Sequence, residues 1–132
     1  EDSASGVSFN TLIGGAFNSV NNKVYASGYT TSSIKKIVSF DVSEGAISST
    51  PVILVSESAG GLGFKECVLS QTNDSIWVVD ADNSTVDNYS LLGVYLSSKA
   101  IPSGSDAFGL TTDGTYLYVS DRALLVVNKI LI

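Results

Sequence analysis

With 132 residues, the chain is long enough for one domain that buries a core of its own. Charged residues make up only 15 %, below the roughly 25 % of an average globular chain, and Ser and Thr together fill 31 positions, so hydroxyls more than ions solvate the surface. Acidic residues number 13 against 7 basic ones, and the net charge of −6 argues against nucleic acid and anionic lipid as partners.

In chain order, the first predicted strand is Val7 to Ile13. It is followed by a small-residue segment, Gly14, Gly15, Ala16 and Phe17, and then by an Asn21-Asn22 turn leading into Lys23, Val24, Tyr25, Ala26 and Ser27. Strands are expected at Ile34 to Val42 and Ala46 to Val55, joined by a turn at Ser43, Glu44 and Gly45. The pattern then repeats. Gly61, Leu62, Gly63 and Phe64 precede an Asn73-Asp74 turn and the run Ser75, Ile76, Trp77, Val78, Val79, Asp80. Thr85 to Leu91 and Val94 to Ile101 follow, around a Leu92-Gly93 turn. A third round begins with Asp106, Ala107, Phe108 and Gly109, turns at Asp113-Gly114 and continues through Thr115 to Asp121. It ends with Leu124 to Ile132, one strand short of the other two rounds.

Asn-Asn, Asn-Asp and Asp-Gly all tolerate the positive φ of a tight hairpin, and the β-branched and aromatic residues after them suit a packed pleated surface. Equating Tyr25, Trp77 and Tyr118 gives spacings of 52 and 41 residues, the period of propeller-type arrays. The glycine-bearing segments fit an innermost strand, where backbones crowd together. The chain therefore reads as a single all-β domain, 1-132, of about three four-stranded blades: 14-58, 59-105 and 106-132. Residues 7-13 are expected to complete a blade whose other strands lie elsewhere. Three blades cannot close a ring, so a second copy, an open filament or a longer chain is expected to supply the rest. A β-sandwich is the alternative fold.

The segment Gly109, Leu110, Thr111, Thr112, Asp113, Gly114, Thr115, Tyr116, Leu117, Tyr118, Val119, Ser120, Asp121 resembles the repeat of NHL-like, surface-layer-type and lactonase-like β-propellers, in which an Asp-Gly turn precedes an apolar strand. It is also similar to a repeat in plant-type glutaminyl cyclases, which are propeller enzymes. The resemblance implies a propeller and, through small lectins that assemble propellers from short repeat chains, carbohydrate as a partner. It does not by itself carry a function.

Histidine is absent, which removes Ser-His-Asp and Cys-His catalysis. Asp80, Asp82, Asp87, Asp106, Asp113 and Asp121 read as caps of local backbone rather than catalytic pairs. Glu66, beside an inner strand, reads as an exposed edge residue, with a channel-facing acid as the sharper reading. The oxygen-rich run from Asp80 to Asp87 has the donors of a calcium loop but lacks its mid-loop glycine and distal glutamate, so a polar turn is expected. No catalytic, cofactor or metal residues are assigned. Cys67, the single cysteine, reads as a small buried hydrophobe.

Asn73, Asn83 and Asn88 each begin an N-glycosylation triplet. Among the aromatic residues, Trp77 and Tyr118 are the candidates for stacking on a sugar, against a core role for most such rings. No apolar run approaches the roughly 18 residues of a membrane span, the longest candidate being Ala123 to Val127, so no membrane insertion is expected. The chain opens at Glu1 and lacks Met, which reads as a processed mature chain or an excised fragment. The resulting expectation is a non-enzymatic structural or adhesive protein of the extracellular space or cell surface that self-assembles into an oligomer or filament by strand donation or blade completion. A carbohydrate-binding propeller lectin is the alternative, and a cyclase- or lactonase-type enzyme comes third.

Overall fold

The computed structural model of the chain describes residues 11–30, 33–44, 46–48, 50–103 and 106–132. The first sheet holds β1 (Thr11–Asn18), β2 (Lys23–Tyr29), β3 (Ile34–Ser43), a two-residue β4 (Ala46–Ile47) and β5 (Val52–Ser58). The second is a meander of β6 (Phe64–Leu69), β7 (Ser75–Asp80), β8 (Thr85–Ser90) and β9 (Tyr95–Ala100). The third has β10 (Ala107–Thr112), β11 (Tyr116–Asp121) and β12 (Val126–Leu131). Every pairing is antiparallel, and β6 packs against both β1 and β10, so the first strands of successive sheets lie side by side. These are blades stacked around a common axis, not the two facing layers of a sandwich.

The hairpins follow the expected turn chemistry. Asn22, Asn73 and Gly114 have φ of 54°, 56° and 88°, the left-handed geometry that these residues adopt at low cost. The read span Ala46 to Val55 is two elements instead of one. Ala46–Ile47 folds back on Val42–Ser43, and after Pro51 the chain resumes as β5 along β3. The expected separate strand over 7–13 also differs. Thr11 and Leu12 pair with Tyr29 and Gly28, so they and Ile13 belong to β1, while residues 7–10 lie outside the described residues.

Strand alternation assigns each sheet two faces. Tyr25, Ile37 and Val55 of the first sheet meet Cys67, Ile76, Val78 and Tyr89 of the second in one core. Trp77, Val79 and Val86 on the other side of the second sheet meet Leu110, Leu117, Val119 and Ile130 of the third in another. Because β7 contributes to both cores, all six of its residues are buried. Each fully buried aliphatic side chain stabilises by roughly 1.5–3 kcal/mol relative to exposure, so these two seams hold the arc together.

Tight backbone approach sets the inner seam. A Cβ on Gly14 would stand 2.7 Å from Cys67 N and from Glu66 Cα, so only glycine lets β1 lie this close to β6. Beside it, β1, β6 and β10 each carry a bulge at the same level, before Gly14, Cys67 and Leu110.

Candidate functional site

At the bulges the blades are bonded to one another. Ser27 Oγ donates to the Lys65 carbonyl across the first seam, and Glu66 Oε2 accepts from Leu110 N at 2.8 Å across the second. Glu66 is therefore a half-buried inter-blade acceptor rather than a free edge residue. Nothing in its local sequence signals this, because its partner is 44 residues away.

The aspartates are engaged within the fold, some by local backbone and others by partners distant in sequence. Asp121 Oδ1 accepts from Ala123 N and Leu124 N, and Asp121 Oδ2 from Asp106 N. Asp80, fully buried, accepts from Asp82 N and Asn83 Nδ2 and pairs with Lys35 of the first sheet. Asp82 receives Leu62 N and Gly63 N, and Asp87 receives the Thr85 and Ser98 hydroxyls. The oxygens of the Asp80-to-Asp87 run thus face separate partners. Among the described residues no cluster of metal-binding side chains converges. Asp106 forms a two-point pair with Arg122. Cys67 is 2 % exposed, and burial pushes its thiol up to about 11.

Trp77 is not available to a ligand, contrary to expectation. It is 3 % exposed and packed in the seam between the second and third sheets. The sequence held the signal, since Trp77 sits level with Tyr25, which is 1 % exposed in the preceding seam. Tyr118, third in that series, is half-buried on a face of the third sheet that no described sheet covers. Its hydroxyl donates to Asp113 Oδ2 at 2.8 Å, which pushes the Tyr118 pKa up. The backbone amides of Tyr116 and Thr115 hold Asp113 below the ordinary carboxylate value. Lys129 Nζ lies 3.9 Å from the Tyr116 ring centre and 5.9 Å from that of Tyr118. Exposed Val127 and Leu131 extend this face, and a shallow cavity of about 260 Å³ opens beside Tyr118, Ser120 and Glu66.

At the opposite end of the arc, the other face of the first sheet is buried at its centre, where Ala26 and its cross-strand neighbour Val38 are 2 % and 0 % exposed. On the first sheet, Val24 and Ala26 point away from the second sheet and, with Leu12, Ile13, Phe40 and Ile47, line an apolar groove of about 340 Å³. The three glycosylation asparagines are spread over the second sheet. Asn83 is exposed in the β7–β8 turn, and Asn73 sits half-buried in the turn before β7, with its carbonyl bonded by Asn18. Asn88 lies within β8, its Oδ1 buried without a hydrogen-bond partner.

No family model and no curated protein matches the chain. Two of the solved structures similar in fold cover most of the chain. One is a nidogen/laminin complex, with a TM-score of 0.60 at 18 % identity over 83 % of this chain and 39 % of that chain. The other is streptogramin B lyase, with a TM-score of 0.63 at 12 % identity over 100 % of this chain and 44 % of that chain. The chain spans less than half the length of either. At these identities the likeness shows the fold alone, and that fold is the β-propeller repeat.

Proposed function

We propose that the chain is a non-enzymatic structural protein of the extracellular space that works by assembling through the open face of its third sheet. The observation carrying this reading is the series Tyr25, Trp77 and Tyr118, in which the first two rings are sealed between blades and the third waits at the same position on an uncovered face. A non-enzymatic role is supported by the absence of histidine and by the engagement of Glu66, Asp80, Asp82, Asp87 and Asp121 in structural bonds. The extracellular placement rests on the low charge and the hydroxyl-rich composition, and the nidogen/laminin likeness is in keeping with it. Light scattering of the native protein across a dilution series tests the proposal. Multimers are expected, and a stable monomer at micromolar concentration overturns it.

Carbohydrate binding is the second reading, favoured by the half-buried Tyr116–Tyr118 pair beside Lys129 and Asp113. It predicts glycan-dependent changes in tyrosine rather than tryptophan emission, because Trp77 is sealed in a seam.

A further inference from the structure

Among the described residues two lysines are buried, Lys35 and Lys65, and they differ in what answers their charge. Lys35 pairs with Asp80 and has Glu57 beside it. Lys65, 6 % exposed, forms no ion pair with any described carboxylate. The adjoining acid, Glu66, turns to Leu110 N, and the two oxygens of Asp82 take Leu62 N and Gly63 N in the loop before β6.

The surroundings of the Lys65 ammonium are aromatic instead. Nζ donates to the Leu62 carbonyl and lies 5.0 Å from the Tyr29 ring centre and 5.9 Å from that of Phe108. Three sheets contribute, since Tyr29 ends β2 and Phe108 stands on β10 at the level that Lys65 holds on β6. The rings are held in place. Gly63, with φ of 69°, lets the loop close on Tyr29, whose Cβ would lie 2.8 Å from a Cβ at that position, and Arg122, bound by Asp106, stacks on Phe108 with its guanidinium carbon 4.1 Å from the ring centre. At Gly61, by contrast, an added Cβ would meet nothing within 4 Å, so the loop leaves an open approach. An ammonium has three hydrogens to donate, and the Leu62 carbonyl takes one. Rings attract a cation but do not replace a counter-charge, and a buried charge left without one is costly.

We propose that Lys65 anchors a binding site for a small organic carboxylate. The carboxylate accepts from the two remaining Nζ hydrogens, and the apolar body of the ligand lies against the Tyr29 and Phe108 rings. Charge selects a monocarboxylate over a phosphate: a single ammonium matches a single negative charge, Arg122 is neutralised by Asp106, and the net charge of −6 disfavours a multiply charged anion. Lys65, Tyr29 and Phe108 take no part in the cavity beside Tyr118, so the failure of this site leaves the assembly reading untouched.

Titration of the native protein with benzoate, benzamide and inorganic phosphate at constant ionic strength, followed by ligand-detected NMR, tests the site. Benzoate is expected to bind saturably with a dissociation constant on the order of 1 mM, as befits a few-atom ligand held by charge-assisted hydrogen bonds. Benzamide, which keeps the shape and lacks the charge, is expected to bind at least about tenfold more weakly. Lys65→Met keeps an apolar stem between the rings and should bring benzoate down to the affinity of benzamide, whereas Lys99→Met, on the outer strand β9, should leave benzoate binding unchanged. Equal binding of benzoate and benzamide, tighter binding of phosphate than of benzoate, or no saturable benzoate binding overturns the proposal. Those comparisons need only the native protein, so they decide even where Lys65→Met does not fold. Full benzoate affinity in a folded Lys65→Met overturns the assignment to Lys65.

Discussion

Lys35 on β3 and Asp80 on β7 form an ion pair across the first seam, their side chains 5 % and 0 % exposed. Glu57 lies 3.7 Å from the same ammonium on the outer side, and the Phe64 ring centre lies 5.0 Å away. Removing one partner leaves a buried charge uncompensated, at a cost of about 3–5 kcal/mol. Chemical denaturation of Lys35→Met should show a loss of that size, and Lys35→Met/Asp80→Asn should lose less than the sum of the two single changes.

Three buried groups hold their protons above the ordinary values. At Lys35, burial works to lower the pKa, but the hydrogen bond and charge of Asp80, with Glu57 and Asp82 beyond, together carry it above its ordinary 10.5. Burial raises Cys67 from 9.0 to about 11 and, with the Glu57 charge, raises Tyr89 above 10.0. In each case the folded protein holds its proton more tightly than the unfolded chain. Stability is therefore retained below the ordinary values and falls as pH rises through them. Thermal unfolding followed by circular dichroism should give a Tm that is not limited by these groups below pH 9 and declines steeply above it. Thiol reagents should leave Cys67 unmodified at pH 8 until the protein unfolds.

Asp87 behaves in the opposite sense to a stabilising carboxylate. Burial raises its pKa above 3.8, against the pull of the Ser98 and Thr85 hydroxyls. Its ionised form consequently costs stability as pH climbs through 3.8 and the raised folded value. Asp87→Asn retains an acceptor for both hydroxyls and should raise Tm at pH 7, with the gain shrinking toward pH 3.

Leu125 is 88 % exposed and has φ of 56°, a backbone region that L side chains other than Asn and Asp enter at a cost. Ser84, four residues after Asp80 as Leu125 is after Asp121, has φ of 54°, so the turn geometry is shared. Leu125→Asn should stabilise by about 1 kcal/mol in denaturant titration. Gly14→Ala should cost about 1–3 kcal/mol, because backbone atoms of Glu66 and Cys67 occupy the space of the new methyl group.

The repeat was legible because its turn residues and aromatic strands are local signals. Asn22, Asn73 and Gly114 adopt the geometry their identities suggest, and Tyr25, Trp77 and Tyr118 fall at equivalent places. Even the break between β4 and β5 had its marker in Pro51. What escaped local reading depends on neighbours distant in sequence. Lys35 is buried against a carboxylate 45 positions away, a partner that no local pattern signals. Trp77 reads as a stacking ring until the third sheet is in place over it.

The central claim is that the face of the third sheet around Tyr118 is an assembly surface. Small-angle X-ray scattering of the native protein on an absolute scale reports its mass directly. The account predicts particles of more than one chain, reduced toward one chain by Tyr118→Asp. A one-chain particle at every concentration would contradict it.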